Sequence, residues 1–153
     1  MLLQLGRNEE AASVYKQALS LDAKQVDTEF LNGYVVSLIH IPGSNLAPVI
    51  PLLERALAAE PSNFRIEGSL AIALSLTGNQ SQARQHFEQV IRRYPNAAAP
   101  DVLYYYGRLR LEEGEPQAAL AFLRLARERS PRPLPEYQAA IDQAESALKK
   151  TEK

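Results

Sequence analysis

The sequence predicts an all-α protein, antiparallel helix pairs stacked in a right-handed superhelix and closed by a C-terminal capping helix. Two recurrences predict it. The first is a run of Gly, a small residue five on, a large residue four later and a small residue three later. It occurs as Gly6, Ala11, Tyr15, Ala18; Ser44, Val49, Leu53, Ala56; Gly78, Ala83, Phe87, Val90; and Gly114, Ala119, Leu123, Ala126. The second is punctuation. Five residues past each copy stand Ala23, Pro61, Pro95 and Pro131, and a proline ends a helix because it lacks an N–H and clashes with the preceding turn.

The spacing divides the chain as one domain, 1–153: a half repeat at 1–25, repeats at 26–63, 64–97 and 98–133, and a capping helix at 134–150. Pro61 to Pro95 spans 34 residues, whereas Pro95 to Pro131 spans 36 and Ala23 to Pro61 spans 38. The longer insertion falls at His40 to Ser44, where Ile41-Pro42-Gly43-Ser44 is turn chemistry. The shorter lies in Ala97 to Pro100.

Helices are predicted at 8–22, 26–40, 47–59, 63–77, 80–94, 100–113 and 116–130. Pro48 and Pro116 suit a first turn, which has no intrahelical use for an N–H. Pro51 fits only if its helix starts no earlier than about Ala47. Small residues (Gly33, Ala71, Ala83, Gly107, Ala119) let paired helices approach, and Leu70, Phe87, Tyr106 and Leu123 fill the space beside them. From Pro135 to Leu148, Tyr137, Ile141, Ala144 and Leu148 form one apolar stripe. Opposite it lie Glu136, Gln138, Asp142, Gln143 and Glu145, the polar face that the end of a stacked array requires. Lys149 to Lys153 are expected to fray.

The stretch Phe64 to Ala97 carries Leu70-Ala71, Leu74, Gly78, Ala83, Phe87, Val90 and Pro95, and in this it resembles the tetratricopeptide repeat, a helix-turn-helix unit. The resemblance extends through the other copies almost to Pro133. It departs at Glu29, Glu67 and Leu103, where the family usually has tryptophan, and at Arg110, commonly aromatic. The resemblance implies a protein-interaction module whose first helices line a concave groove. Groove-facing residues would be Asp27, Phe30, Tyr34, Ser37 and Leu38; Arg65, Gly68, Ile72 and Ser75; and Asp101, Tyr104, Arg108, Leu111 and Glu112. In rows, Phe30, Gly68 and Tyr104 lie beside Tyr34, Ile72 and Arg108. A glycine between two aromatic residues is expected to leave a hollow for an apolar anchor of a partner peptide or helix. Arg65 and Arg108 would pair with acids. The lysines and asparagines with which chaperone-binding members hold an acidic C-terminal tail are missing, so such a ligand is not expected.

Composition points the same way. With 46% hydrophobic and 23% charged residues and no apolar run near the ~18 residues of a membrane helix, no membrane span is expected. The absence of cysteine excludes disulfides and thiolate zinc sites and suits cytoplasm and periplasm equally. The net charge of −1 argues against nucleic acid as partner, although 8 of the 18 acidic side chains and only 5 of the 17 basic ones precede residue 81. Tyr104-Tyr105-Tyr106 is no stacking platform, since successive helical residues point in different directions. His40 and His86 have no ligand spacing, and no phosphate loop, nucleophile elbow or paired carboxylates appear. The sequence therefore predicts neither an enzyme nor a cofactor.

Two roles remain: an adaptor that binds a peptide or helix in its groove as part of a larger assembly, or a self-associating scaffold. The start of the chain bears on the second. Met1 to Leu5 rise only about 7.5 Å as helix, too short to cover Ala11, Tyr15, Ala18 and Leu19. Either the chain is the C-terminal part of a longer repeat protein, or the edge near Tyr15 packs on another molecule, a homodimer being the simplest case.

Overall fold

The computed structural model describes residues 7–21, 27–132 and 134–152. Gly6, Ala23 and Met1 to Leu5, on which parts of the sequence reading rest, lie outside them. The described residues form eight α-helices and no strand: α1 (Asn8–Leu21), α2 (Thr28–Ile39), α3 (Ile50–Ala59), α4 (Phe64–Leu76), α5 (Gln80–Arg93), α6 (Pro100–Glu112), α7 (Pro116–Arg129) and α8 (Pro135–Thr151). Each starts and stops within a few residues of its predicted bounds. At the far end, α8 stays helical through Thr151, where fraying was expected from Lys149.

Local chemistry sets the ends. Pro61, Pro95 and Pro131 sit two residues beyond α3, α5 and α7. Asn63 caps α4 by accepting from the Ile66 N–H at 3.2 Å. Gly78 and Gly114 take positive φ, 88° and 78°, after α4 and α6. There the Asn79 and Glu115 N–H groups reach back to the Leu74 and Arg110 carbonyls at 2.9 Å, the Schellman closure that glycine alone reaches without strain. In the lengthened loop after α2 the positive φ falls on Gly43 (76°), one residue before the Ser44 that the recurrence aligns with those glycines. The extra residues continue as a 3-10 turn, Ala47–Val49, so Pro51 falls in the first turn of α3.

Three pairs, α1 with α2, α4 with α5 and α6 with α7, pack along their lengths, and α8 closes on α7. The long loop carries α3 away from α2, so that α3 rests mainly on α4. Close approach is written in the small residues. A Cβ at Gly107 would lie 2.8 Å from Leu123 Cγ, and one at Gly33 would lie 2.5 Å from the Tyr15 hydroxyl. Around these contacts one continuous core runs from Leu31 on α2 to Ala144 on α8 and includes Leu70, Phe87, Leu103, Leu123 and Tyr137. Stacking neighbours is what buries it, since no helix pair could alone.

The α1 residues expected to be partly bare divide into one that is covered and three that are partly so. Ala11 is buried, while Tyr15, Ala18 and Leu19 are half-buried. The Tyr15 ring turns into α2, edge-on to Phe30 at 4.5 Å between centroids and 6.3 Å from Tyr34. The large apolar side chain that faces outward from α1 is Val14, 49% exposed.

Candidate functional site

The α2, α4 and α6 helices lie side by side, with α4 in the middle. Their register is set by polar pairs. Arg65 Nη1 on α4 donates to Glu29 Oε1 on α2 at 2.8 Å, and one turn on the Ser69 hydroxyl donates to Asn32 Oδ1 at 2.6 Å. The second bond satisfies the buried Ser69 hydroxyl, the first is exposed to solvent, and together they mark one alignment of the two helices. A cavity of about 450 Å³ opens along this seam. Its walls are Asn32, Val36 and Ile39 of α2, Phe64, Arg65, Ser69 and Ile72 of α4, and Ala97, Ala99, Asp101 and Val102 at the start of α6. The lining is mostly aliphatic, with Arg65, Asp101 and the Asn32–Ser69 pair as its polar groups. That composition suits an apolar group with a polar attachment, such as a side chain on a backbone.

One end of the cavity is closed by contacts across the inner face. The Tyr105 hydroxyl on α6 lies 3.5 Å from the Ile39 carbonyl at the end of α2. Beside it His40 Nε2 lies 3.4 Å from Asp101 Oδ2, and the Tyr137 hydroxyl of α8 donates to Asp101 Oδ1 at 3.0 Å. One carboxylate thus joins three helical elements. The hydrogen bond to Asp101 raises the His40 pKa above its ordinary value despite the opposing effect of burial. Burial pushes the Tyr105 phenol up to about 12, and burial together with the Asp101 charge drives Tyr137 higher still. Both phenols therefore hold their protons as donors near neutral pH.

Of the seven predicted binding residues, the structure brings Arg65 and Ile72 to the cavity, Ile72 almost wholly buried at 3%. Phe30 and Tyr34 face α1 instead, in phase with Tyr15. Gly68 leaves no hollow, because a Cβ there would lie 2.7 Å from Val102 Cγ2, and the space is where α6 packs on α4. Tyr104 is 6% exposed and stacked on Tyr137 at 4.7 Å, so α8 covers the ring that was expected to bound the hollow. Arg108 is half-exposed, 3.8 Å from Glu112 with its guanidinium 6.0 Å from the Tyr104 ring centre. The sequence reading missed Asn32, Val36, Ile39, Ser69, Ala99 and Val102. Their signal was the offset of 36 and 37 positions that pairs Glu29 with Arg65 and Asn32 with Ser69, which fixes which face of α2 meets α4.

Glu67, at a place where the family usually has tryptophan, is buried at 3% with His86 Nδ1 3.4 Å from its Oε1, so a polar pair between α4 and α5 stands where an indole would pack. Among the described residues no helix is long and apolar enough to cross a membrane.

Three family models, each described as tetratricopeptide repeat, match residues 1–25, 50–98 and 81–144. The chain belongs to the tetratricopeptide-repeat family. Solved structures agree on the fold: a MamA AMB-1 structure superimposes with a TM-score of 0.59 at 19% identity over 99% of this chain and 96% of that one. A MamA MSR-1 structure does so with a TM-score of 0.58 at 17% identity over 98% and 92%. At such identities the likeness concerns architecture, an all-α solenoid. No curated protein matches the sequence. Membership of the family makes the chain a protein-interaction module.

Proposed function

We propose that this tetratricopeptide-repeat protein binds a segment of a partner protein along the inner face of α2, α4 and α6 and takes one apolar side chain of that segment into the cavity. The cavity itself is the observation that carries the reading. It is aliphatic, about 450 Å³ in volume, and has polar groups at its rim where a bound backbone would need hydrogen-bond partners. Leucine, isoleucine or phenylalanine fits such a space, and a buried anchor of this kind supplies most of the affinity of a peptide interface. Arg65 and Asp101, of opposite charge on the α4 and α6 walls, favour a segment with both signs over an acidic tail.

Ala99 is exposed, lines the cavity and precedes α6, so it is the position from which to fill the space without disturbing the core. Ala99→Trp is expected to leave helicity and thermal stability close to wild type and to weaken a captured partner at least about tenfold, or 1.4 kcal/mol. Unchanged affinity for every partner recovered by the wild type would refute the cavity as the anchor site. Arg65 and Ile72 belong to this reading directly; Phe30, Tyr34, Gly68 and Tyr104 enter it as residues that set the positions of α2 and α6, and Arg108 as an exposed cation on α6.

A second reading, self-association through the outward face of α1, is supported by Val14. Sedimentation velocity over a concentration range separates the two. Mass that rises with concentration and returns to the monomer in Val14→Asp supports a scaffold of like chains, whereas a monomer throughout supports the adaptor.

A further inference from the structure

His40, Asp101 and Tyr137 come from three places far apart in the chain, the loop after α2, the first turn of α6 and the first turn of α8, and they meet at one carboxylate. Helix-to-helix stacking does not require this contact, since α2 and α6 are separated by α4 and each is held by its packing on α4. The contact instead ties the two outer walls of the cavity to one another. Ile39, next to His40, and Asp101 both line the cavity, so the distance between them is one of its dimensions.

We infer that His40 and Asp101 form a proton-operated clasp that joins the end of α2 to the start of α6 and sets the width of the cavity. The inference concerns regulation of the proposed binding site and in that respect rests on the previous reading. With His40 protonated, Nε2–H donates to the Asp101 carboxylate and the pair carries opposite charges. With His40 neutral the charge pairing disappears, and Asp101 keeps its bond from Tyr137. The cross-face tie is then weakened to the hydrogen bond a neutral Nε2–H can still give Asp101 and the long Tyr105 contact with the Ile39 carbonyl. The walls separate and the cavity admits a larger side chain.

The groups facing His40 act in a definite direction. From α6 come Asp101 and, beside the Ile39 carbonyl, Tyr105; from α8 come Glu136 and Tyr137. On the other side a shallow cleft of about 310 Å³ places His40 with Arg7, Glu9 and Glu10 at the start of α1. Arg7 is engaged by Glu10, so the cation in this cleft is itself paired. Asp101 and Glu136 both favour the imidazolium, burial opposes it, and the balance lies with the charged form. The clasp is therefore closed at acid pH and opens on the alkaline side of the ordinary histidine range, in the interval where histidine alone among unperturbed side chains changes charge.

The absence of cysteine makes the test direct. Ala47→Cys and Ala139→Cys, both exposed, place one spin label beyond the end of α2 and one on α8. Pulsed electron-electron resonance on this doubly labelled chain, with no ligand added, is expected to give a narrow distance distribution at about pH 5 and a longer, broader one at about pH 9. His40→Gln and, separately, Asp101→Asn should give the longer distribution at both values, while His86→Gln should keep the wild-type response. Proton NMR of the His40 ring should show a midpoint above the ordinary value that falls in Asp101→Asn. Distances independent of pH, or a pH response that survives in a folded His40→Gln variant, would overturn the clasp. Because no partner is present, this result stands whether or not the cavity binds an apolar side chain.

Discussion

The Tyr105 hydroxyl lies 3.5 Å from the Ile39 carbonyl, a contact between residues 66 positions apart that crosses the inner face from α6 to the last turn of α2. The carbonyls of a last helical turn have no intrahelical partner, and here one of them is met by a phenol that burial keeps protonated, its pKa pushed up to about 12. Tyr105→Phe keeps the ring and removes the donor. The expected loss is about 0.5–1.5 kcal/mol in urea denaturation, with faster amide exchange at Ile39 to Ile41 and none at α7. Unchanged exchange at the end of α2 would show that the contact holds nothing.

Gly107 marks a close crossing of α6 and α7. A methyl group there would lie 2.8 and 2.9 Å from two Leu123 carbons and 3.3 Å from the Ala119 carbonyl, which cannot move without moving α7. Gly107→Ala is expected to destabilise by about 1–3 kcal/mol, even though alanine is the better helix former. Calorimetry or urea denaturation reads this. Stability equal to wild type would mean that α6 and α7 separate freely.

What the sequence made legible follows from how local each signal is. Helix ends were readable because Pro61, Pro95, Pro131, Gly78 and Gly114 act within a few residues of themselves. Gly43 rather than Ser44 took the turn because left-handed φ selects glycine whatever the repeat register says. The face of each helix that looks inward is different in kind, since it depends on rotations accumulated between repeats. Phe30 and Tyr34 carried the strongest aromatic signal on α2, and their partner was Tyr15 on the preceding helix. Tyr104 was hidden for a similar reason, its stacking partner Tyr137 lying on the capping helix. The cavity was legible only through Arg65, Ile72 and Asp101, because most of its other walls come from the stagger of α2 against α4.

The His40–Asp101 pair gives stability a pH dependence of known sign. The folded-state pKa of His40 lies above its ordinary 6.5, so the folded chain binds the proton more tightly than the unfolded one. The contribution is fully present below the ordinary value and is lost as pH rises through the folded value. The stability difference between wild type and His40→Gln is therefore expected to be largest near about pH 5 and to shrink towards about pH 9. Its size should be about 1 kcal/mol, since the pair is only partly buried and still meets solvent. Urea denaturation of both chains across that range checks it, and a difference that grows with pH would reverse the assignment.

Tyr15 and Gly33 give the last prediction, because each is shaped to the other. The phenol lies where a Cβ on Gly33 would sit, at 2.5 Å from its hydroxyl, while the ring meets Phe30 edge-on. The first helix packs chiefly on α2, so in a stacked array this seam is the main tie of α1 to the rest. Tyr15→Ala removes the ring and its aromatic contact, a pair of the kind that contributes about 0.5–1.5 kcal/mol beyond burial. Gly33→Ala leaves the ring but displaces it. Both are expected to reduce exchange protection in Asn8–Leu21 and to leave α4 to α7 as protected as in wild type, since opening at the end of an array need not propagate. The double variant should cost little more than Tyr15→Ala alone, because once the ring is gone the added methyl group has nothing to displace. Additive losses in the double variant, or protection lost as far as α6, would mean that α1 is held by contacts other than this one.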